Sequence, residues 1–335
     1  MKRAISIALL CALALTAGCE REATVERPGR FRVGMVFDVG GKGDKSFNDS
    51  AYRGMLQAAD AYDLDYAEFE PGQDADREIG LRKLAQGGYD VVIGVGFLFS
   101  DAIKNVAKDY PDTRFTCVDY DARPGETLPD NFAGLTFREE EGSFLVGMLA
   151  AMASETGRIG FVGGMDVPLI HRFEAGYVAG AKHVDPAVSV TVAYAGTTPQ
   201  AFADPARGKE LAMLQYGRGV DVIYHASGST GNGVIEAAKE TGRLAIGVDS
   251  NQNYMAPGNV LTSMVKRVDN AVYMTIEATI AGDFQGGLME FGLAEDGVGY
   301  AVDRHNEDLL SEEMVAAVEE AREKIIAGEI SVPRE

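Results

Sequence analysis

Short apolar runs alternate with amphipathic segments of helical length from Phe31 onward, and this rhythm limits the possible folds more than any other feature of the chain. The first predicted strands are residues 31–37, 66–69, 91–95, 114–118 and 133–137. The helices predicted among them are residues 48–62, 76–86, 101–108 and 140–153. Such alternation is typical of parallel sheets flanked by helices. Residues 91–95, Val-Val-Ile-Gly-Val, are apolar throughout, as expected of a strand buried on both faces.

The rhythm restarts near Arg158, which predicts two similar lobes. Residues 158–162 read Arg-Ile-Gly-Phe-Val, close to Arg-Val-Gly-Met-Val at 32–36. Further strands are predicted at 158–162, 189–194, 220–225 and 244–248, and further helices at 171–183, 205–216 and 230–241. The remaining elements, at 260–265, 268–281, 298–302 and 311–327, are too few for a third lobe, so we expect them to cross back between the two.

We therefore predict two Rossmann-like, three-layer α/β/α domains joined by a hinge with several crossovers. The first lobe comprises residues 31–155 and about 260–285, and the second comprises residues 156–259 and about 286–335. Ligands of open α/β sheets bind beyond the carboxyl ends of the strands. Two facing lobes would form a cleft that closes by a hinge motion.

The N-terminus has the pattern of a lipoprotein signal. Lys2 and Arg3 precede an apolar run at residues 5–15, which is too short to span a membrane. Leu-Thr-Ala-Gly-Cys at 15–19 resembles the lipobox of bacterial lipoproteins, in which the cysteine is acylated and the peptide before it is removed. We predict a signal peptide at residues 1–18, lipidation at Cys19 and a polar tether at residues 19–30. The alternative is an ordinary cleavage site that happens to lie near a cysteine.

Charge and cysteine content exclude several classes of protein. The chain has 31 Lys and Arg against 51 Asp and Glu, a formal net charge of −20, which disfavours nucleic acid as a partner. No run of 18 apolar residues follows the signal, so no membrane-spanning segment is predicted in the mature protein. With Cys11 in the signal peptide and Cys19 lipidated, Cys117 remains alone in an apolar run, where a buried thiol is expected. No disulfide, metal site or cofactor is predicted.

The segment after the first predicted strand, residues 38–49, contains the first candidate site residues. Its glycines have the spacing of neither a Walker A loop nor a dinucleotide-binding motif. Ser46 followed by Asp49 looks like a variant capping box that starts a helix. Phe47 would lie at the mouth of that helix, either as a hydrophobic staple or as a ring offered to a flat ligand.

Phe37-Asp38-Val39-Gly40 through Lys45-Ser46-Phe47-Asn48 closely resembles the basic membrane protein family, lipoprotein substrate-binding subunits of ABC importers whose characterised members bind purine nucleosides. The resemblance extends from about residue 31 to about residue 330 and implies the type 1 periplasmic binding protein fold. Further matching segments are Phe137-Arg138-Glu139-Glu140-Glu141-Gly142, Arg172-Phe173-Glu174-Ala175-Gly176-Tyr177, Phe202-Ala203-Asp204-Pro205, Gly228-Ser229-Thr230-Gly231-Asn232-Gly233, Gly247-Val248-Asp249-Ser250 and Leu261-Thr262-Ser263-Met264-Val265-Lys266.

The resemblance also implies roles for nine residues. Two rings, Phe47 and Phe202, would sandwich the base; many relatives carry Trp at the second position, and this chain has none. The base edge would meet Asp38 and Asn48. Ribose oxygens would be held by Asp249 and Lys266, with a contact from Asp119 near the hinge. The backbone at Gly228 would approach the ligand closely, and Phe173 is either a further ligand contact or part of the core.

Each polar candidate also has a structural interpretation. Asp38, Asp119 and Asp249 all follow apolar runs, where Asp frequently caps the next helix or turn. Lys266 is an alternative partner for a buried carboxylate or could snorkel to the surface. Three carboxylates at corresponding strand ends nevertheless favour a common ligand site.

Two other classes of function remain open. The same bilobed architecture serves sugar-binding and ligand-sensing proteins, whose sites also use Asp, Asn and aromatic rings. An enzyme is less favoured, because none of the four histidines has a metal-ligand spacing and no G-x-S-x-G motif occurs. Asp38 and Asp249 are the pair that a nucleoside hydrolase would use. We predict a monomeric, non-enzymatic binding protein that delivers a purine nucleoside to an ABC permease and its ATPase.

Overall fold

The computed structural model describes residues 29–335, and residues 31–335 form one compact unit. The predicted signal peptide, Cys19 and most of the predicted tether lie outside the described residues. Within the described part of the chain, no helix combines the length and the apolar character needed to cross a membrane.

Six parallel strands of the described chain form the first sheet. They are β1 (Arg32–Val36), β2 (Asp65–Phe69), β3 (Val91–Val95), β4 (Arg114–Val118), β5 (Phe132–Phe137) and β11 (Gly287–Phe291), in the order β11-β5-β4-β3-β1-β2. Along β1, Val33 and Met35 enter one buried cluster and Val36 enters another. This alternation, with helices packed on both faces, explains why the strand is apolar throughout.

The second sheet repeats this arrangement position for position. Its strands are β6 (Arg158–Met165), β7 (Ser189–Gly196), β8 (Val222–Ala226), β9 (Leu244–Asp249), β10 (Val260–Lys266) and β12 (Val298–Tyr300), in the order β12-β10-β9-β8-β6-β7. The sheet is parallel except for β12, which pairs antiparallel with β10. The two α/β lobes predicted from the repeated rhythm are confirmed.

Nine α-helices of the described chain cover these sheets. They are α1 (Phe47–Tyr62), α2 (Asp76–Gln86), α3 (Ser100–Asp109), α4 (Glu139–Ala153), α5 (Pro168–Val184), α6 (Pro205–Gly217), α7 (Thr230–Thr241), α8 (Val268–Ala281) and α9 (Glu312–Ile326). Helices α4 and α5 pack backbone against backbone, because a Cβ at Gly147 would lie 2.2 Å from the Tyr177 carbonyl oxygen and one at Gly180 would lie 1.9 Å from that of Phe144.

The predicted boundaries of the lobes are wrong at the crossovers. Helix α4 packs against the second sheet, where Ser143 Oγ lies 3.2 Å from the Tyr224 hydroxyl, although residues 139–153 were assigned to the first lobe. Strand β10 lies in the second sheet rather than the first lobe. Helix α8 packs on α1 of the first lobe, as predicted. Strand β11 was not predicted as a strand and was assigned to the second lobe, but it lies at the edge of the first sheet. The chain therefore crosses between lobes near Arg138, Arg267 and Gly292.

The C-terminal tail braces this hinge region. Arg334 Nε lies 2.7 Å from Glu140 Oε1 at the start of α4, and its Nη2 lies 2.8 Å from Glu290 Oε1 on β11. Arg138 Nε binds the other Glu290 oxygen at 2.8 Å. Since α4 packs on the second sheet and β11 belongs to the first, Arg334 connects the two lobes.

Candidate ligand-binding site

A cavity lies where the carboxyl ends of the strands in the two sheets face each other. All nine residues proposed from the sequence line it: Asp38, Phe47, Asn48, Asp119, Phe173, Phe202, Gly228, Asp249 and Lys266. The lining also includes residues that the sequence did not single out as site residues, among them Asp44, Phe97, Leu169 and Ser227.

Asp119 and Asp249 occupy equivalent positions in the two lobes. Asp119 directly follows β4 and Asp249 ends β9, and these two strands hold the same position in their sheets. Both residues have left-handed backbone, with φ of 57° and 62°, a conformation that Asp tolerates better than most residues. Burial raises the pKa of Asp119 to about 6 and that of Asp249 to about 7, against the opposing charge of Lys266.

Asp38 follows β1 and presents a third carboxylate, which is largely shielded from solvent. Its Oδ1 accepts a hydrogen bond from the Val39 N–H at 2.7 Å and lies 4.0 Å from Arg77 Nη2. Burial nevertheless raises the pKa of Asp38 to about 7. Gly96 makes room for this side chain, since a Cβ there would lie 2.1 Å from Asp38 Oδ2. The backbone of Gly96 also has φ of +105°, so both the space and the conformation at this position require glycine. The sequence analysis did not identify Gly96.

The side-chain amide of Asn48 positions Asp38 and its neighbours and is not left free for a ligand. Its Oδ1 accepts from the Asp38 N–H at 2.9 Å, and its Nδ2 donates to Asp44 Oδ2 at 3.0 Å and to the Val39 carbonyl at 3.4 Å. Asp44 also caps the start of α1, because its carboxylate accepts from the backbone N–H of Ser46, Asn48 and Asp49. The predicted capping role of Ser46 is wrong, since its side chain makes no capping bond.

Ser46 instead reaches across to the second lobe. Its Oγ donates to Asp249 Oδ2 at 2.6 Å, and its carbonyl accepts from Ser250 Oγ at 2.8 Å. At the two residues before it, Gln252 Nε2 donates to the Lys45 carbonyl at 3.2 Å and Asn232 Nδ2 donates to the Asp44 carbonyl at 3.3 Å. Residues 44–46, which we call the clasp loop, thus join the lobes beside the cavity.

Lys266 forms a second, fully buried link between the lobes. Its Nζ lies 2.6 and 2.7 Å from the two oxygens of Asp119 and 2.9 Å from Glu139 Oε1. Burial alone would lower the pKa of Lys266, but the carboxylates of Asp119, Glu139 and Asp249 raise it well above its usual range, so the ammonium stays charged. Protein carboxylates therefore already neutralise the ammonium group that the resemblance assigned to ribose oxygens.

Three phenyl rings enclose the same ammonium. The centroids of Phe47, Phe137 and Phe173 lie 5.3, 4.9 and 5.4 Å from Lys266 Nζ, within the range of cation–π attraction. Phe173 is nearly fully buried, so it packs in the core and lines the cavity at once. Glu139 was visible in the sequence only as part of an acidic run that also suits a helix start.

Phe47 and Phe202 are half-buried and come from different lobes. The Phe202 ring lies on Gly164, where a Cβ would come 2.2 Å from Cε1. Phe97 meets Phe202 edge-on, with centroids 6.4 Å apart and an interplanar angle of 74°. Gly228 has φ of +56°, and a Cβ there would lie 2.9 Å from the Phe202 carbonyl oxygen. The absence of a side chain at Gly228 therefore allows the backbone of Phe202 to pack closely against it.

Comparison with known proteins places this fold and site in a family. Residues 31–335 match the model of the Bmp family, described as ABC transporter substrate-binding protein PnrA-like. The ABC transporter nucleoside-binding protein BmpA of Lactococcus lactis is 33% identical over 98% of each chain. Basic membrane protein A of Borreliella burgdorferi is 36% identical over 90% of this chain and 87% of its own.

A solved structure agrees with the sequence relatives. The solute-binding protein of an ABC transporter system from Aeropyrum pernix superposes with a TM-score of 0.82 at 32% identity, covering 91% of this chain and 94% of that one. The expected type 1 periplasmic binding fold and the expected family are confirmed. The chain therefore belongs to the Bmp family of PnrA-like ABC transporter substrate-binding proteins.

Proposed function

We propose that this protein is the lipid-anchored binding subunit of an ABC importer and captures a purine nucleoside between its lobes. The observation that carries the proposal is the lining of the cavity, where half-buried phenyl rings from both lobes accompany three carboxylates at strand ends, two of them buried. A nucleoside offers the matching chemistry, namely a flat base, polar base edges and a vicinal diol. One relative of comparable length is named as nucleoside-binding.

The base would stack between Phe47 and Phe202. In nucleic-acid complexes, stacking on an aromatic ring contributes about 1–3 kcal/mol per base and depends little on which base it is. Asp38 would select the base edge. With a pKa near 7, its carboxyl group can accept a hydrogen bond from a purine N–H or, when protonated, donate one to a ring nitrogen.

The ribose would lie beside Asp249. An ionised carboxylate accepting from two vicinal hydroxyls forms charge-assisted hydrogen bonds, roughly twice as strong as neutral ones. Asp249 also accepts a hydrogen bond from the Ser46 hydroxyl. A nucleoside bound to Asp249 would therefore contact the carboxylate that joins the clasp loop to the second lobe. Lys266 would act mainly by holding Asp119 in place and less as a direct ribose ligand.

Binding tests should separate the base from the sugar. We expect adenosine, inosine and guanosine to bind with dissociation constants in the micromolar range or tighter, about −8 kcal/mol or better. Ligand at 100 times its dissociation constant should add about 2.7 kcal/mol to the free energy of unfolding, which a thermal-shift assay detects. Free base and ribose should bind far more weakly, since each fills only half the site. Ribose binding equal to that of adenosine would favour the sugar-binding alternative, and release of free base from inosine would favour a hydrolase.

The anchor is tested separately. If Leu15–Cys19 is a lipobox, the full-length chain should incorporate labelled palmitate and partition into detergent, and Cys19→Ser should abolish both. Cys117→Ser is the matched control, because that thiol is buried in the first sheet and should not affect labelling. Unchanged labelling of Cys19→Ser would refute the anchor. We propose that the anchored protein is a monomer that delivers its ligand to a permease and its ATPase.

A further inference from the structure

A second cavity adjoins the ligand-binding cavity. The two share Phe97, Asp119 and Leu169 in their walls, so they meet at the end of the site where Asp119 lies. We call this second cavity the outer compartment. Nothing in the proposed binding of a simple nucleoside uses it.

One side of the outer compartment is apolar. Phe97 and Phe137 contribute rings, and Val167, Pro168 and Leu169, at the start of α5, contribute aliphatic surface. These groups come from both lobes, so the compartment takes its shape only when the lobes are together. Such walls suit an apolar group, and aromatic rings also make favourable contacts with thioether sulfur.

The polar side of the compartment is predominantly acidic. Asp119, Asp121 and Glu139 line it, and Arg172 is the basic residue in its wall. Arg172 Nη1 lies 3.5 Å from Glu139 Oε2, so its charge is already partly matched. Glu139 is fully buried. Its oxygens form ion pairs with Arg172 and Lys266 but accept no hydrogen bond from any described residue. A phosphate would face this acidic wall, which disfavours it.

The positions of the substituents on ribose determine which group of a nucleoside can enter the outer compartment. This step rests on the proposed function, in which the base lies between Phe47 and Phe202 and the diol faces Asp249. The base occupies C1′ and the diol occupies C2′ and C3′, which leaves only the C5′ group, carried on C4′, free to extend past Asp119. We propose that the protein also binds 5′-deoxy-5′-alkylthio nucleosides, with the alkylthio group in the outer compartment.

Calorimetry on the purified protein can test this with three probes: adenosine, 5′-deoxy-5′-methylthioadenosine and adenosine 5′-monophosphate. We expect the methylthio compound to bind at least as tightly as adenosine and the monophosphate at least tenfold more weakly. Propylthio substitution should be tolerated as well, because the compartment has room beyond a methyl group. This series needs no variant and is therefore independent of effects on folding.

A substitution that fills the outer compartment with a larger side chain provides a second test. Val167→Phe should weaken the methylthio compound at least tenfold and change adenosine binding less than threefold. Val184→Phe, at the exposed far end of the same helix, is the control and should change neither. Thermal unfolding without ligand checks that both variants fold.

The outcomes distinguish this inference from the proposed function. If adenosine binds but the methylthio compound binds more than tenfold more weakly, the outer compartment does not accept the substituent. Tighter binding of the monophosphate than of the methylthio compound would also overturn the inference, since it would assign the compartment to phosphate. If no nucleoside binds, the proposed function itself fails.

Discussion

Replacing Asp249 by Asn tests the proposed ribose contact most directly. Asp249 has φ of 62°, so Ala would add backbone strain to the loss of the carboxylate. Asn has the same shape, tolerates left-handed backbone and removes only the charge and one acceptor. It can still accept the hydroxyl hydrogen of Ser46, which lies 2.6 Å from Asp249 Oδ2.

The expected loss follows from the type of hydrogen bond. Bonds to a charged group contribute about 1.5–3 kcal/mol and neutral ones about 0.5–1.5 kcal/mol, so neutralising Asp249 should weaken a diol contact by about 1–1.5 kcal/mol. A difference of 1.4 kcal/mol is about tenfold in affinity. The Ser46 bond weakens as well, but this affects closure around every ligand equally. The difference between ligands therefore isolates the diol.

Calorimetry should compare adenosine with 2′,3′-dideoxyadenosine, which has no diol. Because burial raises the pKa of Asp249 to about 7, the measurements belong near pH 8, where the carboxylate is mostly ionised. We expect Asp249→Asn to weaken adenosine about tenfold and the dideoxy compound less than threefold. Asp296→Asn is the matched control, since Asp296 has φ of 53° but is exposed and does not line the cavity. Equal weakening of both ligands would refute the assignment of Asp249 to the diol.

Three further changes test the aromatic ring of Phe202, the carboxylate of Asp38 and the C-terminal brace. Phe202→Leu should weaken adenosine, inosine and guanosine by similar factors, worth about 1–3 kcal/mol by calorimetry, and a loss confined to one base would contradict stacking. Because burial raises the pKa of Asp38 to about 7, its stabilising contribution is complete below about pH 4 and is lost as the pH rises through about 7. Urea unfolding of the empty protein near pH 5 and near pH 8 should therefore differ less in Asp38→Asn than in the wild type, and an unchanged difference would count against this pKa. Arg334→Ala should lower the free energy of unfolding by about 1–2 kcal/mol, because it leaves buried Glu140 unpaired. Lys324→Ala, which breaks an exposed ion pair, should leave the free energy of unfolding unchanged, and equal effects of the two changes would exclude a brace.

The rhythm of the sequence was sufficient to predict two α/β lobes, because the burial of strands and helices follows a short, local period. Val33, Met35 and Val36 alternate between two buried clusters, and such a pattern is readable without knowledge of any distant residue. The position of the candidate site was also readable. Parallel strands end at one edge of a sheet, so Asp38, Asp119 and Asp249 were expected to meet there.

Assignment of the crossing elements to lobes could not be read from the rhythm. Strand β11 has alternating, half-exposed residues, and among the described strands it pairs with β5 alone, more than 150 residues earlier in the chain. Helix α4 follows β5 directly but packs on the other lobe. Nothing local distinguishes a helix that returns to its own sheet from one that crosses over, because the choice depends on which surface is left to cover.

The partners of the polar side chains were decided by tertiary structure alone. The sequence identified Lys266 and Asp249 as site candidates and Ser46 as a helix cap, but their contacts join residues about 130–200 positions apart. The contacts of Ser46 with Asp249 and of Lys266 with Asp119 cross the interface of the two lobes. A buried ammonium needs an opposite charge beside it, and only the assembled lobes place Asp119 and Glu139 next to Lys266. The sequence thus determined which chemical groups reach the cleft, through strand ends set by local periodicity. The packing of one lobe on the other determined which of those groups bind each other and which remain available to a ligand.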